Sequence, residues 1–204
     1  MSLPRQYFEQ LYGATDDPWS FRTRPYEERK RRLTMACLPN ARYRSVFEPG
    51  CAFGLLTGLL AERAQSVLAM DISEAAIRAA SQVVPGHVEL RVGAIPADWP
   101  SGAFDLVVLS EVGYYLDVAT CARMARLAMT TSTDIIAVHW RHPVADYPLG
   151  GDQVHALLDD AAAAHGRVLL VDHVEDDLRL GVWSRDGRSV AVRTGLIADP
   201  AADL

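Results

Sequence analysis

In the stretch VFEPGCAFGLLT, residues 46–57, an apolar run meets an acid and then glycines two and six positions later: Glu48, Gly50 and Gly54. Glycines where a strand runs into a helix let the backbone approach a ligand or take conformations that other residues resist. The spacing discriminates among ligands. A dinucleotide fingerprint starting at Gly50 needs glycines at 52 and 55, where the chain has Ala52 and Leu55, and no Gly-Lys-Ser/Thr ending makes this a P-loop. Asp71 closes the next apolar run, SVLAMDI. An acid there can accept hydrogen bonds from both hydroxyls of a ribose, and it repels a neighbouring phosphate. A third run ends in VGAIP, where small Gly93 and Ala94 and apolar Ile95 suit the flanks of an adenine. Each residue also has a plainer use. The Gly50–Gly54 turn can be a tight connection, and Asp71 can cap the helix that starts after Asp71-Ile72-Ser73-Glu74.

Two further clusters follow later apolar runs. LSEVGYYLD brings Ser110, Glu111, Tyr114 and Tyr115 together, and VHWRHPVADYP brings His139, Trp140, Arg141 and His142. A carboxylate or imidazole at such a rim can accept a proton from a bound group. Glu111 and His139 are the candidates for acceptor positioning or proton acceptance. The alternative is structural: the tyrosine pair packs and His142-Pro143 shapes a loop.

The elements that must position these residues are readable from hydrophobic patterning. Strand-like runs SVFEPG, SVLAMDI, VELRVG, FDLVVLSEV and DIIAVHW alternate with helix-like LLTGLLAERA, SEAAIRAASQVV and DVATCARMARLAM. That alternation predicts βαβ units and a parallel sheet whose strand ends share one rim. A helix over about 152–165 leads to GRVLLVDHVED and DLRLGVWSRDGRSVAV, whose short connection permits only antiparallel pairing. Upstream, PRQYFEQLY reads as an amphipathic helix, and RPYEERKRRLTMACL as a helix with Pro25 at its start.

The 204 residues carry a net charge of −6, which counts against a dedicated nucleic-acid binder. The run Arg29-Lys30-Arg31-Arg32 reads as a solvated helix face, with an RNA-docking edge as the competing reading. Lys30 is the only lysine, a bias expected of a GC-rich bacterial genome. Three scattered cysteines without CxxC spacing predict neither a disulfide framework nor a metal site. With no signal peptide and no apolar run of about 20 residues, the expectation is a cytoplasmic protein without membrane contact.

Taken together, residues 45–185 resemble the class I S-adenosylmethionine-dependent methyltransferases. The resemblance implies a Rossmann-like α/β fold: a seven-stranded, mostly parallel sheet with an antiparallel terminal strand pair and helices on both faces. It also implies S-adenosylmethionine as cofactor, with no metal. Glu48 and the turn Gly50, Cys51, Ala52 and Gly54 would hold the methionine part, Asp71 and Ile72 the ribose, and Gly93, Ala94, Ile95 and Ser110 the remainder. Ala52 replaces a usual glycine and is expected to be tolerated with φ below zero. Ala94 replaces an acid, so a backbone or water contact is expected at the adenine amino group.

The segments DPWSFRTRPYEERKRRLTMACLP, EPGCAFGLLT, LSEVGYYL and HWRHPVADYPLGGDQVH look more narrowly like the nodulation-protein-S-like methyltransferases. That likeness implies one methyltransferase domain over 1–204: an N-terminal helical lid (1–40), a cofactor-binding core (45–140), and an acceptor-side loop, helix and strand pair (141–204). It implies methylation of a small-molecule or oligosaccharide acceptor, most plausibly an amino-sugar amine. Tyr7, Trp19, Tyr26, Tyr114, Tyr115, Trp140 and His142 are the candidate acceptor-side residues. A non-catalytic scaffold on the same fold is the contrasting reading.

Overall fold

Residues 106–109 and 134–139 are buried without interruption, as strands covered on both faces must be. They belong to the central strands of a computed structural model that describes residues 1–15 and 17–199. Helices α1 (Arg5–Ala14) and α2 (Pro25–Cys37) come first. Then β1 (Tyr43–Pro49), α3 (Leu55–Ala61), β2 (Ala64–Asp71), α4 (Glu74–Ala80) and β3 (Val88–Val92) alternate. β4 (Phe104–Ser110), α5 (Val118–Thr131), β5 (Ser132–Trp140) and α6 (Gly151–Ala164) continue that pattern. The antiparallel strands β6 (Val168–Val174) and β7 (Leu178–Ser184) precede a short α7 (Val190–Arg193).

Alternation along the strands decides the layers. Phe47, Val107, Leu109, Ile135 and Ala137 pack on one face beneath Met124 and Ala128 of α5 and Leu158 of α6. Their neighbours Val46, Leu106, Val108, Ile136 and Val138 pack on the other with Leu56 and Leu60 of α3. The seven-stranded order is β3-β2-β1-β4-β5-β7-β6. β1 pairs in parallel with β2 on one side and β4 on the other, so the sheet changes direction of growth at β1. Ligands of open α/β sheets sit at such a switch point, beyond the strands' carboxyl ends.

The sheet is the mostly parallel one expected, with two adjustments. β7 lies between β5 and β6 and is antiparallel to both, so the reversed strand is internal and β6 forms the edge. The strand-like run 177–192 stops at Ser184, because Val190–Arg193 is helical.

That last helix is fastened by charge. Arg193 donates to both carboxylate oxygens of Asp134 at 3.0 and 3.1 Å, and Asn40 Nδ2 donates to Oδ2 at 2.7 Å. The side chains of Arg193 and Asp134 are 2% and 0% exposed. Removing one partner of a buried pair strands the other charge at a cost of about 3 kcal/mol. Arg193→Met is expected to lower unfolding free energy by about that amount, measured by urea denaturation. A loss below about 0.5 kcal/mol would show that Asp134 does not depend on this anchor.

Candidate cofactor and acceptor site

The turn after β1 is a run of left-handed residues at alternate positions. Gly50, Ala52 and Gly54 have φ of +77°, +47° and +75°. Side chains are excluded at both glycines: a Cβ on Gly50 would lie 3.1 Å from Val112 Cγ2, and one on Gly54 2.7 Å from Val84 Cγ1. Ala52 departs from the expected negative φ. An L-residue in the left-handed region is disfavoured by roughly 1 kcal/mol, so something must hold it there. The holding group is Asp71. Its Oδ2 accepts from Ala52 N at 2.9 Å, and its Oδ1 accepts from Ser73 N at 2.9 Å. The cap of α4 is Ser73, whose Oγ accepts from Ala75 N and Ala76 N, so Asp71 is not the cap.

Above this turn lies a cavity of about 290 Å³, close to the size of small-molecule sites. Glu48, Gly50, Cys51, Ala52, Asp71 and Ile72 line its floor, and Gly93, Ala94, Ile95 and Ser110 line its side. Gly54 does not line it; its lack of a side chain serves the approach of α4. Ala94 N donates to Asp98 Oδ2 at 2.8 Å, so the loop after β3 carries its own acid four residues beyond the position where the sequence lacks one.

Two buried carboxylates face this space. Glu48 is 2% exposed, its Oε2 has no hydrogen-bond partner, and burial pushes its pKa up to about 8. Asp71 is 7% exposed, and burial raises its pKa to about 6 against the lowering donors Ser73 N and Ala52 N. An orphaned carboxylate oxygen suits an ammonium, and each Asp71 oxygen keeps a lone pair for a hydroxyl. The donor set therefore fits the amino end and the ribose of S-adenosylmethionine.

The N-terminal segment covers the cavity. Leu3 N donates to Tyr115 O at 2.8 Å, and Ser2 N and Oγ donate to Asp117 Oδ2 at 3.0 and 2.9 Å. Tyr12 meets Phe53 and Trp19 edge-on at 5.4 and 5.5 Å, and Trp19 stacks on Phe21 at 5.3 Å.

Lining the same cavity is an ionic cluster that the sequence reading did not contain. Lys30 of α2 is 4% exposed and lines the cavity, contrary to its expected place on a solvated face. Its Nζ lies 3.0 and 2.9 Å from Glu27 Oε1 and Oε2, and 3.5 Å from Glu111 Oε1. Glu111 has φ +56°, a left-handed conformation rare outside glycine, just after the C-terminal end of β4. The Tyr114 hydroxyl donates to its Oε2, while Oε1 is buried without a hydrogen bond. Burial raises the Glu111 pKa, and Lys30 and the Tyr114 hydroxyl oppose that rise.

The remaining acceptor-side candidates divide. Trp19 and Tyr115 line the cavity; Tyr7, Tyr26, Tyr114, Trp140 and His142 do not. Tyr26 meets Trp140 edge-on at 5.3 Å, Tyr114 stacks on Tyr147 at 4.8 Å, and His142 Nε2 pairs with Asp177 at 2.7 Å. His139, expected beside the acceptor, is wholly buried and does not line the cavity. Its Nε2 accepts from Gly113 N at 3.1 Å, so the proton sits on Nδ1, which faces His155 Nε2 at 3.3 Å. Burial lowers its pKa well below the usual range. The ring is a neutral brace for the single-turn 3-10 helix Gly113–Tyr115, which carries Tyr114. Among lining residues the sequence reading missed, Phe53 lay inside the glycine turn, and Lys30 was marked only by being the sole lysine.

The family model described as nodulation protein S (NodS) matches residues 6–136. The chain belongs to the NodS family. A nodulation protein S of Rhizobium tropici is 34% identical over 116 residues, 55% of this chain and 48% of that protein. The chain spans about half the length of the curated relatives it matches. Among solved structures, a Pseudomonas syringae protein described as a candidate methyltransferase is 40% identical, with a TM-score of 0.68, covering 79% of this chain and 100% of that one. The N-methyltransferase NodS of Bradyrhizobium japonicum WM9, in complex with S-adenosyl-L-homocysteine, is 20% identical with a TM-score of 0.77, covering 89% and 98%. That last likeness places the fold among NodS structures. No helix among the described residues is long and apolar enough to cross a membrane.

Two outcomes follow from the floor of the cavity. Ala52→Gly removes the left-handed penalty and is expected to stabilise the fold by about 0.5–1 kcal/mol in urea melts; destabilisation would contradict the strain at this residue. Burial favours the protonated Glu48, whose ordinary value is near 4.3. Its contribution to the free protein's stability is complete below about 4.3 and lost as pH rises through about 8. Glu48→Gln is expected to flatten that part of the stability–pH curve, and an unchanged slope between pH 5 and 8 would rule out an ionising Glu48.

Proposed function

We propose that this chain is an S-adenosylmethionine-dependent methyltransferase acting on a small polar acceptor, most specifically the amine of an amino sugar or deacetylated oligosaccharide. The observation that carries this reading is one cavity lined both by the cofactor-type floor and by Glu111, whose buried Oε1 accepts no hydrogen bond among the described residues. Membership of the NodS family and the N-methyltransferase description of the Bradyrhizobium relative support it.

In this reading Glu48 receives the cofactor's ammonium and Asp71 its ribose hydroxyls. Arg31 lines the cavity and forms no ion pair among the described residues, so it is available for the cofactor's carboxylate. When bound, S-adenosylmethionine supplies a methyl already activated for displacement, its C–S bonding pair leaving with the neutral thioether as the N–C bond forms. The protein's part is to align the nucleophile, exclude water and take one proton. Glu111 Oε1 accepts that proton from the acceptor ammonium, and a carboxylate with a raised pKa is suited to hold it. Ser110, Tyr115 and Trp19 line the same cavity.

An RNA substrate is disfavoured by the fate of the basic run. Arg29 pairs with Glu175 at 2.6 Å, Arg32 pairs with Glu28 at 2.6 Å, and Lys30 is buried. Of the run, only Arg31 lacks a carboxylate partner among the described residues, and it lines the cavity, so these residues form no continuous basic edge to neutralise phosphates.

A product-detection screen with methyl-labelled cofactor across glucosamine, deacetylated chitooligosaccharides, simple amines and hydroxyl acceptors tests the reading. Methylation of an amino sugar is expected, with Glu111→Gln lowering kcat at least about tenfold while S-adenosylhomocysteine affinity is kept. Methylation of hydroxyl acceptors alone, or equal loss of turnover and cofactor affinity in Glu111→Gln, would overturn it.

A further inference from the structure

The only lysine of the chain is buried at the acceptor end, where its neighbours are charged and aromatic. Its ammonium lies 3.0 and 2.9 Å from the two oxygens of Glu27 and pairs more loosely with Glu111 Oε1, at 3.5 Å. The rings of Tyr26 and Phe21 lie 5.5 and 5.9 Å from Nζ, which restricts where the ammonium can go. Glu27 therefore fixes Lys30, and Glu111 feels its charge without losing its free oxygen. The local sum is two carboxylates and one ammonium, a single negative charge awaiting one cationic group.

We propose that Lys30, fixed by Glu27, is a positioning and specificity residue that keeps the Glu111 carboxylate ionised with Oε1 free, so that the site takes an acceptor carrying one ammonium and rejects anionic acceptors. The inference rests on the amine reading above. Lys30 and Glu27 come from α2, together with the Tyr26 ring. Tyr114 and Tyr115 come from the 3-10 turn, and His139, neutral and behind Tyr114, comes from β5. Among the described residues, Lys30 is the one cation paired with Glu111. Replacing it by an uncharged stem of similar length leaves a buried carboxylate opposed only by the Tyr114 hydroxyl and beside a second carboxylate. Both conditions favour protonation. A protonated Glu111 can neither hold an ammonium nor accept its proton.

The test uses full-length Lys30→Met, Lys30→Arg and Glu27→Gln, each checked by thermal melting and S-adenosylhomocysteine affinity. One readout is the titration of the Glu111 carboxylate itself, by carbon NMR of side-chain-labelled glutamate, assigned by its loss in Glu111→Gln. The other is the pH profile of kcat/KM with a deacetylated chitooligosaccharide. In Lys30→Met the Glu111 midpoint and the acid limb are both expected to rise by at least about one pH unit. Activity lost at neutral pH should return at higher pH, and Lys30→Arg should restore the wild-type midpoint. In Glu27→Gln the ammonium loses its fixed partner and closes on Glu111, so the midpoint falls and KM for the amine rises. An unchanged midpoint in a folded Lys30→Met, or in Glu27→Gln should the first not fold, overturns the inference. A shifted midpoint without methylation of any amine would keep the Lys30 assignment and remove the amine reading, so the two fail separately.

Discussion

The site depends on one carboxylate that serves two backbone segments at once. Asp71 ends β2 and accepts from Ala52 N of the first turn and from Ser73 N at the head of α4. The first bond holds an alanine in a left-handed conformation that its own sterics oppose. The second orients the strand–helix junction, leaving Ser73 to cap the helix. Without this carboxylate the turn would relax, and with it the cavity floor. The group expected to meet the ribose thus also builds the surface on which the cofactor's other end would rest.

The same cavity holds a second arrangement of this kind. Glu111 is held with positive φ at the end of β4, with one oxygen given to Tyr114 and the other left open beside Lys30. Strained backbone and an unsatisfied buried oxygen both cost stability, and such costs collect at functional sites. Neutral His139, bonded to Gly113 N, braces the turn that presents Tyr114. The histidine contributes geometry where an exposed imidazole would contribute a proton site.

Local patterning made the sheet and the cofactor floor readable from the sequence. The strand periodicity, the Glu48–Gly50–Gly54 spacing and Asp71 at a strand end are short-range features, and the structure brings them to one cavity. The φ of Ala52 was misread because the bond that enforces it comes from nineteen residues away. Lys30 was read as surface because three arginines surround it in sequence; its burial follows from the packing of α2 against the rim, where Glu27, Tyr26 and Phe21 enclose it. The insertion of β7 between β5 and β6 was likewise beyond reach, since a short connection fixes direction but not which strand takes the inner position. The aromatic rim candidates divided for a similar reason: Trp19 and Tyr115 face the cavity, whereas Tyr114, Trp140 and His142 are engaged by partners distant in sequence.

The central claim is that Asp71 both shapes the turn and binds the cofactor's ribose. Calorimetric titration of S-adenosylhomocysteine into the wild-type protein and into Asp71→Asn tests it most directly. The substitution keeps the size of the side chain but removes the charge that strengthens both kinds of hydrogen bond. The account predicts binding weakened by about 100-fold in a variant that still folds. Affinity within about threefold of wild type would contradict it.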